Sequence, residues 1–227
     1  MPSAGPNEVL VHVMAAGVAP WDAIIREGKS KVSPQPPLTL GSDFSGVVDK
    51  VGPGVTDFAP ADEVYGVTNP QFCGAQAEFA VATAGMVAPK PQSLNHVEAA
   101  SAPVIAVTAW QMLFQYAEAM RGQTVMVVGA AGNVGAYAVQ MSVDAGIHVV
   151  AVAHLADHDL LRSLGRDHPR GQEQGQPATS AHPRLGLFRF RREGRPRRYG
   201  LRAGRPSLWR HQPDTVGGST FQRCVAR

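Results

Sequence analysis

The chain has 227 residues, of which 44% are hydrophobic, a size and composition typical of a globular protein that buries a substantial core. It contains no run of about 18 apolar residues, so we expect no transmembrane helix, and its first residues lack the basic and then apolar order of a secretory signal. Its two cysteines, Cys73 and Cys224, lie far apart, which argues against a disulfide framework and favours a reducing cytoplasm.

The net charge of +3 combines two unlike parts of the chain. Residues 1–165 hold 7 basic and 14 acidic side chains, a balance of −7. Residues 166–227 hold 14 arginines and 4 acids, a balance of +10, with 8 glycines, 6 prolines and no regular periodicity. We therefore expect a disordered basic tail over residues 166–227, in which Leu185–Phe190 is the best-ordered patch.

Residues 1–94 are predicted to form a β-rich module. Short valine-rich segments alternate with turns that contain glycine and proline, a pattern typical of an antiparallel sheet. A short helix over residues 21–28, closed by Gly28, is expected between the first two strands. The predicted strands are Glu8–Met14, with one buried face, followed by Phe44–Val51, Glu63–Val67 and Gln76–Ala82.

The pattern changes at Asn95, which is spaced with Glu98 as a capping box and predicts the start of a helix. Pro103 is expected to interrupt this helix, which then continues to Gly122. Its apolar face is predicted to carry four residues at helical spacing: Ala109, Leu113, Tyr116 and Met120.

A strand–helix–strand pattern follows, so we assign residues 95–165 to a partial dinucleotide-binding domain. Thr124–Val128 is a continuous apolar run, expected of a strand buried on both faces. A helix over Ala136–Ala145, a strand over His148–Ala153 and a helix over Asp157–Leu164 complete one right-handed βαβ unit and its next helix. The predicted fold class is thus α/β, with an incomplete Rossmann-type unit after the β-rich module.

The turn Gly129–Gly135 joins the first of these strands to its helix and has the sequence Gly-Ala-Ala-Gly-Asn-Val-Gly. Glycines at such a turn let the backbone approach a pyrophosphate, and the helix N-terminus offers N–H groups to the phosphates. The alternative is a plain strand–helix turn that packs tightly. We expect the cofactor contacts to come from Ala131, Gly132, Asn133, Val134 and Gly135.

The end of the second strand indicates which dinucleotide is preferred. A NAD site usually places an acid there, about 20 residues after the glycines, to bind the ribose 2′-hydroxyl. This chain has Val152, Ala153 and His154 instead, which favours NADP. His154 would donate to the 2′-phosphate, or it is an exposed loop histidine.

Several separated segments, in order over about residues 7–165, resemble zinc-free medium-chain dehydrogenase/reductases of the quinone-oxidoreductase type. Besides the glycine turn, they are residues 8–28, Leu40-Gly-Ser-Asp-Phe-Ser-Gly-Val-Val48, Val51-Gly-Pro-Gly-Val-Thr-Asp-Phe58, Asp62-Glu-Val-Tyr-Gly66 and Thr108-Ala-Trp110. The resemblance implies a GroES-like N-terminal module and hydride transfer from NADPH to a small conjugated carbonyl or quinone. It also leaves open a homodimer, as in intact members.

The resemblance has further consequences for the site. Zinc-dependent members carry Cys and a His-Glu pair where this chain has Ala19, Ser42 and Asp43, so no zinc is expected. Cys73 is expected to be a packed thiol. The residues implied beside the nicotinamide are Asp22 and Thr108, although Asp22 could instead cap the short helix and Thr108 could pack within its own.

The chain also departs from the family. It starts at what would be the family's third strand, and it has two parallel strands where a complete dinucleotide fold has about six. We therefore expect a chain truncated at both ends, with a tail that arises from out-of-frame translation, which the coding DNA would test. The alternative function is an inactive remnant whose basic tail binds polyanions without specific nucleic-acid recognition.

Overall fold

The computed structural model describes residues 1–166 and 185–190. They fall into two compact units, residues 1–104 and the described residues from 105 onwards. No helix within these described ranges is both long and apolar enough to cross a membrane. Most of the tail for which we predicted disorder lies outside the described residues. Leu185–Phe190, the patch expected to be ordered, is a strand.

The first unit is built on a five-stranded antiparallel sheet, with the order β4-β1-β2-β3-β5. Its strands are β1 Glu8–Ala16, β2 Asp43–Val51, β3 Glu63–Val67, β4 Phe79–Thr83 and β5 Val87–Pro89. The four predicted strands are confirmed, with shifts of a few residues at some of their ends. The short strand β5 was not predicted.

The core of this sheet lies around β1 and β2. Val9, Val11 and Phe44 are fully buried and form one apolar cluster with other residues of the sheet. The prediction that β1 buries a single face is wrong near its start, because Leu10 is only 1% exposed. Two register irregularities between β1 and β2 also break the simple alternation of faces along the strand.

Two helices belong to the first unit. The helix α1 spans Pro20–Arg26, and the backbone turns out of it through Gly28, whose φ of 67° suits glycine. The helix α2 spans His96–Ala100 and packs on β1, β2 and β3. Its predicted capping box is confirmed, since Asn95 and Glu98 each accept a 2.9 Å hydrogen bond from the other's backbone N–H.

The next helix, α3, spans Pro103–Trp110 and continues as a π-helical segment, Gln111–Tyr116. The predicted end at Gly122 is wrong, because the helix stops at Tyr116 and Gly122 lies in the turn before the next strand. Ala109 and Leu113 are buried as expected, but Tyr116 and Met120 are each 64% exposed. The wider π-helical turn changes the spacing on which the predicted apolar face depends.

The second unit contains a three-stranded sheet with the order β6-β7-β8. The pair β6–β7 is parallel, as predicted, and β8 is antiparallel to β7. The helix α4 packs on β6 and β7, and α5 packs on α4. The elements are β6 Thr124–Val128, α4 Asn133–Asp144, β7 His148–His154, α5 His158–Arg166 and β8 Leu185–Phe190.

The strand β6 is not buried on both faces, contrary to the prediction. Val125 and Val127 pack into the apolar clusters under α4, whereas Met126 is 60% exposed and Val128 is 75% exposed. The reason is that helix packing covers β6 on one face, and within the described residues β6 is the edge strand of its sheet. An apolar run therefore did not distinguish one covered face from two.

Candidate functional site

The glycine turn after β6 is fixed to the end of β7 by two hydrogen bonds. The backbone N–H groups of Gly129 and Ala130 both donate to the Val152 carbonyl, at 2.9 and 3.1 Å. Gly129 has a φ of 74°, a conformation that residues with a side chain rarely adopt. The turn is thus held at the carboxyl edge of the parallel strands, where α/β sheets bind their ligands.

The other two glycines of the turn have different surroundings. A Cβ atom on Gly135 would collide with the Gly129 carbonyl oxygen and lie 2.8 Å from the Ala130 Cα. Gly132 is the N-cap of α4, and a Cβ there would meet one atom, the Gly129 oxygen, at 3.2 Å. Gly135 is therefore required for packing, whereas Gly132 leaves open the approach to the helix N-terminus.

The residues expected to contact the cofactor are brought together at this helix start. Asn133, Val134 and Gly135 form the first turn of α4, a helix of 12 residues, and Gly132 precedes them. N–H groups in a first helical turn have no partner within the helix and attract anions. Ala131 lies in the turn and packs partly against the apolar cluster beneath it. The arrangement suits a phosphate.

The strand β7 ends at His154, which is exposed, after the half-buried Val152 and the buried Ala153. A short 3₁₀ turn, Leu155–Asp157, follows and leads into α5. The described edge of this sheet therefore offers an imidazole at the position where a NAD site usually has a carboxylate.

Asp22 is buried near the start of α1, and each of its carboxylate oxygens accepts a backbone hydrogen bond. The Ala19 N–H donates to Oδ2 at 2.8 Å, which closes the N-terminus of the helix. The Gly41 N–H donates to Oδ1 at 3.3 Å, which joins the helix to the segment before β2. The helix-capping alternative for Asp22 is thus seen directly, and its catalytic role stays a prediction.

A second buried carboxylate, Asp43, lies beside Asp22. The Val104 N–H donates to its Oδ1 at 2.7 Å, and the Ser42 hydroxyl donates to its Oδ2 at 2.5 Å. Burial raises the pKa of Asp43, the two hydrogen bonds oppose that rise, and the nearby charge of Asp22 adds to it. The Trp21 indole Nε1–H donates in turn to the Ser42 hydroxyl at 3.3 Å.

Thr108 lies in the last turn of α3 and is half-buried. Thr108 belongs to the second unit, whereas Asp22 belongs to the first. The role of Thr108 beside a nicotinamide stays a prediction.

A polar network under α2 was not foreseen from the sequence. The fully buried Ser45 donates to the Val64 carbonyl at 2.9 Å, and its hydroxyl lies 2.8 Å from His96 Nδ1. The Ser45 hydroxyl has one proton and donates it to the Val64 carbonyl. The bond to His96 therefore runs from the ring Nδ1–H to the Ser45 oxygen. His96 Nε2 lies 3.3 Å from Glu63, and the Lys90 ammonium lies 3.2 Å from the same carboxylate.

This network has an electrostatic consequence. The hydrogen bond from Lys90 and the charges of Lys90 and His96 hold the pKa of Glu63 below its ordinary value. The Lys90 side chain is only 7% exposed, and it also donates to the Leu94 carbonyl at 2.7 Å. The sequence did not indicate that Lys90 pairs with Glu63, because the two residues lie far apart in the chain and on different elements.

Across residues 1–166 and 185–190, no three His, Cys, Asp or Glu side chains come together as a metal site would require. Cys73 is a half-buried free thiol 3.9 Å from the Asn69 side-chain oxygen. The expectation that it is a packed thiol stays a prediction.

Residues 5–92 match the alcohol dehydrogenase GroES-like domain family. The chain is 38% identical over 180 residues to the mouse (Mus musculus) mitochondrial NAD(P)H oxidoreductase RTN4IP1, a match that covers 71% of this chain and 46% of that protein. The chain thus spans about half the length of the curated relatives it matches.

Two solved structures have the same fold. An alcohol dehydrogenase superfamily protein from Novosphingobium aromaticivorans matches with a TM-score of 0.69 and 37% identity, over 72% of this chain and 51% of that one. A quinone oxidoreductase from Coxiella burnetii matches with a TM-score of 0.66 and 32% identity, over 72% and 53%. Over residues 5–92 the chain therefore belongs to the alcohol dehydrogenase GroES-like domain family, and its relatives and structural neighbours are oxidoreductases of the medium-chain dehydrogenase/reductase and quinone-oxidoreductase type.

Proposed function

We propose that this chain is part of an NADPH-dependent oxidoreductase that reduces a small conjugated carbonyl or a quinone. The observation that carries the proposal is the glycine turn, with Gly132 open at the N-terminus of α4 and Gly135 packed against Gly129. The resident cofactor would be held there through its pyrophosphate, by Gly132 and the first-turn N–H groups of α4. When bound, it supplies the hydride for the reaction.

The preference for NADPH rests on the end of β7. Within the described residues, Val152, Ala153 and His154 offer no carboxylate to a ribose 2′-hydroxyl, and the exposed His154 is able to donate to a 2′-phosphate. Asp157, one short turn later, would repel a phosphate that came close to it. The balance favours NADPH modestly, because a missing acid removes the NAD contact without by itself creating a strong site for phosphate.

The part played by Asp22 follows from its two hydrogen bonds. Its carboxylate accepts from Ala19 and Gly41 and so joins the start of α1 to the segment before β2, while the family resemblance puts Asp22 itself beside the nicotinamide. We propose that Asp22 and Thr108 orient the reacting groups and that neither transfers a proton. Catalysis would then come mainly from holding donor and acceptor in the right geometry.

We also propose that the reaction needs no zinc. Ala19 has no donor atom, the Ser42 hydroxyl is hydrogen-bonded, and both oxygens of Asp43 already accept hydrogen bonds. Only Asp43 is of a type that commonly binds zinc, whereas a catalytic zinc takes three protein ligands, so this donor set does not fit it. About one zinc per chain in elemental analysis, retained after chelation, would contradict the proposal.

A cytoplasmic location is proposed from the sparse cysteines alone. The mouse relative is named as a mitochondrial protein, so the comparison does not favour the cytoplasm in particular.

The experiment is a fluorescence titration of the purified chain with NADPH and with NADH. Saturable binding, tighter for NADPH, is the expected result, and equal or tighter binding of NADH would contradict the cofactor preference. Consumption of NADPH in the presence of a quinone or enone then tests the reaction.

A second candidate function rests on the charge of residues 166–227, a balance of +10 from 14 arginines and 4 acids. In this alternative the chain is an inactive remnant whose tail binds polyanions. Nucleic-acid titrations at two salt concentrations separate the two candidates, because charge-driven binding weakens steeply as salt rises. Polyanion binding without any NADPH binding would favour the remnant.

A further inference from the structure

An aromatic corner lies in the first unit, next to the buried carboxylates. The rings of Trp21 and Phe72 meet edge to face, with centroids 6.5 Å apart and planes inclined by 64°. Both residues are half-buried, so part of each ring is accessible. Two ring planes at this angle make a corner in which a flat molecule can stack on one ring and turn its edge to the other.

The Trp21 ring is fixed in place by a directional chain of hydrogen bonds. Its Nε1–H donates to the Ser42 hydroxyl, whose own proton goes to Asp43, and Asp43 accepts as well from the Val104 backbone. Each donor in this chain has one acceptor, so the orientation of the indole is coupled to a buried carboxylate.

Phe72 is held in an unusual backbone conformation. Its φ is 57°, which bulky side chains rarely adopt without support from their surroundings, and such residues gather at ligand sites. Support comes from the next residue, because the Cys73 carbonyl accepts from Thr68 at 2.7 Å and from Asn69 at 2.8 Å. The Gly74 N–H also donates to the Thr39 carbonyl at 2.9 Å.

Two exposed apolar side chains lie close to Trp21 in the sequence. Ile24 lies one helical turn after Trp21 on α1 and is 49% exposed. Val18 lies three residues before Trp21 and is 84% exposed. Ile24 lies on the same face of α1 as Trp21, because residues three apart are neighbours on a helix surface. Asp22, the next residue in the chain, is the one that the proposed function puts beside the nicotinamide.

We propose that the Trp21–Phe72 corner is a specificity determinant, which selects flat, ring-bearing acceptors such as bicyclic quinones over acyclic conjugated carbonyls. The inference rests on the proposed function for its place in a reaction, but the binding preference is testable without turnover. An acyclic enone offers little surface to stack on the indole, whereas a fused-ring quinone covers it.

The test compares two probes on the full chain, 2,3-dimethyl-1,4-naphthoquinone and the acyclic enone 4-methyl-3-penten-2-one. In both probes the carbon atoms that a thiol would attack are fully substituted by methyl groups, which suppresses addition of the nearby Cys73 thiol. Dissociation constants are measured by calorimetry for the wild type, Trp21→Leu, Trp21→Phe and Phe72→Leu. Trp110→Leu is the matched control, since Trp110 forms a similar ring pair with Phe114 in the second unit.

We expect Trp21→Leu and Phe72→Leu to weaken quinone binding about two- to tenfold and to leave enone binding unchanged. Trp21→Phe, which keeps a flat ring, should retain most of the preference, and Trp110→Leu should retain all of it. A wild type that does not bind the quinone, or variants that lose both probes equally, would overturn the inference. If the quinone preference holds but NADPH neither binds nor is consumed, the proposed function fails and this inference stands.

Discussion

The Asp43 carboxylate accepts a 2.7 Å hydrogen bond from the backbone N–H of Val104, a residue 61 positions away in the first turn of α3. A carboxylate near a helix N-terminus is stabilised by the helix dipole. Burial acts in the opposite direction and is the larger effect on Asp43, so its pKa is raised. Ionisation of Asp43 therefore costs free energy of folding, and this cost grows as the pH rises and the carboxyl group loses its proton.

Replacing Asp43 by Asn should become more favourable as the pH rises. Because the folded-state pKa is raised above the unfolded value, the stability that Asp43 contributes is present at low pH and is lost as pH rises through the folded pKa. Asn keeps an acceptor for Val104 and does not ionise. Thermal unfolding at pH 4 and pH 7 should show the Tm difference, variant minus wild type, increasing with pH.

The exposed Asp57→Asn is the control for the Asp43 variant, and its Tm difference should change little over the same range. A Tm difference for Asp43→Asn that stays constant or falls toward pH 7 would contradict the argument from burial.

The replacement of Glu63 by Gln should have the opposite pH dependence. Lys90 and His96 lower the pKa of Glu63, so its contribution to stability is present above the unfolded pKa and is lost as pH falls through the folded one. We expect Glu63→Gln to be less stable than the wild type near pH 7 and to approach it in acid. Urea midpoints at several pH values measure this.

The control for Glu63→Gln is Glu27→Gln, which removes an exposed ion pair with Lys29. Exposed pairs contribute little to stability, so the control should lie close to the wild type throughout. A Glu63→Gln midpoint that differs from the wild type by the same amount at every pH would show that the carboxylate charge is not involved.

Features specified by adjacent residues were predicted well from the sequence. The capping box of Asn95 and Glu98 needs only two residues three apart, and both of its hydrogen bonds form. The strand over Glu63–Val67 has the predicted bounds, and the glycine turn lies between a strand and a helix as expected. These signals are local, so the rest of the fold is not required to read them.

Features that depend on distant neighbours were missed. Met126 and Val128 are apolar, and only the placement of helix packing on β6 shows that they are exposed. Ser45 and His96 lie 51 residues apart in the sequence, and nothing near either of them indicates the contact.

Two fully buried serines should respond differently to alanine. Ser45 donates to the Val64 carbonyl and accepts from His96, so Ser45→Ala leaves two polar groups without their partner and should cost about 1–3 kcal/mol. The Ser142 hydroxyl in α4 has no hydrogen-bond partner among the described residues, so Ser142→Ala should be neutral or stabilising by about 1 kcal/mol.

The two serine variants are compared by urea unfolding, with hydrogen exchange used to follow the unit that carries each serine. If both variants lose the same stability, the cost of replacing these serines depends on the volume removed and not on the hydrogen bonds of their hydroxyl groups.

The glycine turn offers a pair of variants that separates folding from cofactor binding. Gly135→Ala puts a methyl group against the Gly129 carbonyl and the Ala130 backbone, and should destabilise the second unit by about 1–3 kcal/mol.

In Gly132→Ala the new methyl group meets one oxygen at 3.2 Å, and the backbone at residue 132 has an ordinary N-cap conformation. This variant should therefore cost about 1 kcal/mol or less. Its methyl group nevertheless occupies the approach to the α4 N-terminus. We therefore expect Gly132→Ala to remain folded by circular dichroism and to lose most of its NADPH affinity in a fluorescence titration. Wild-type affinity in a folded Gly132→Ala variant would show that the phosphates do not bind at this turn.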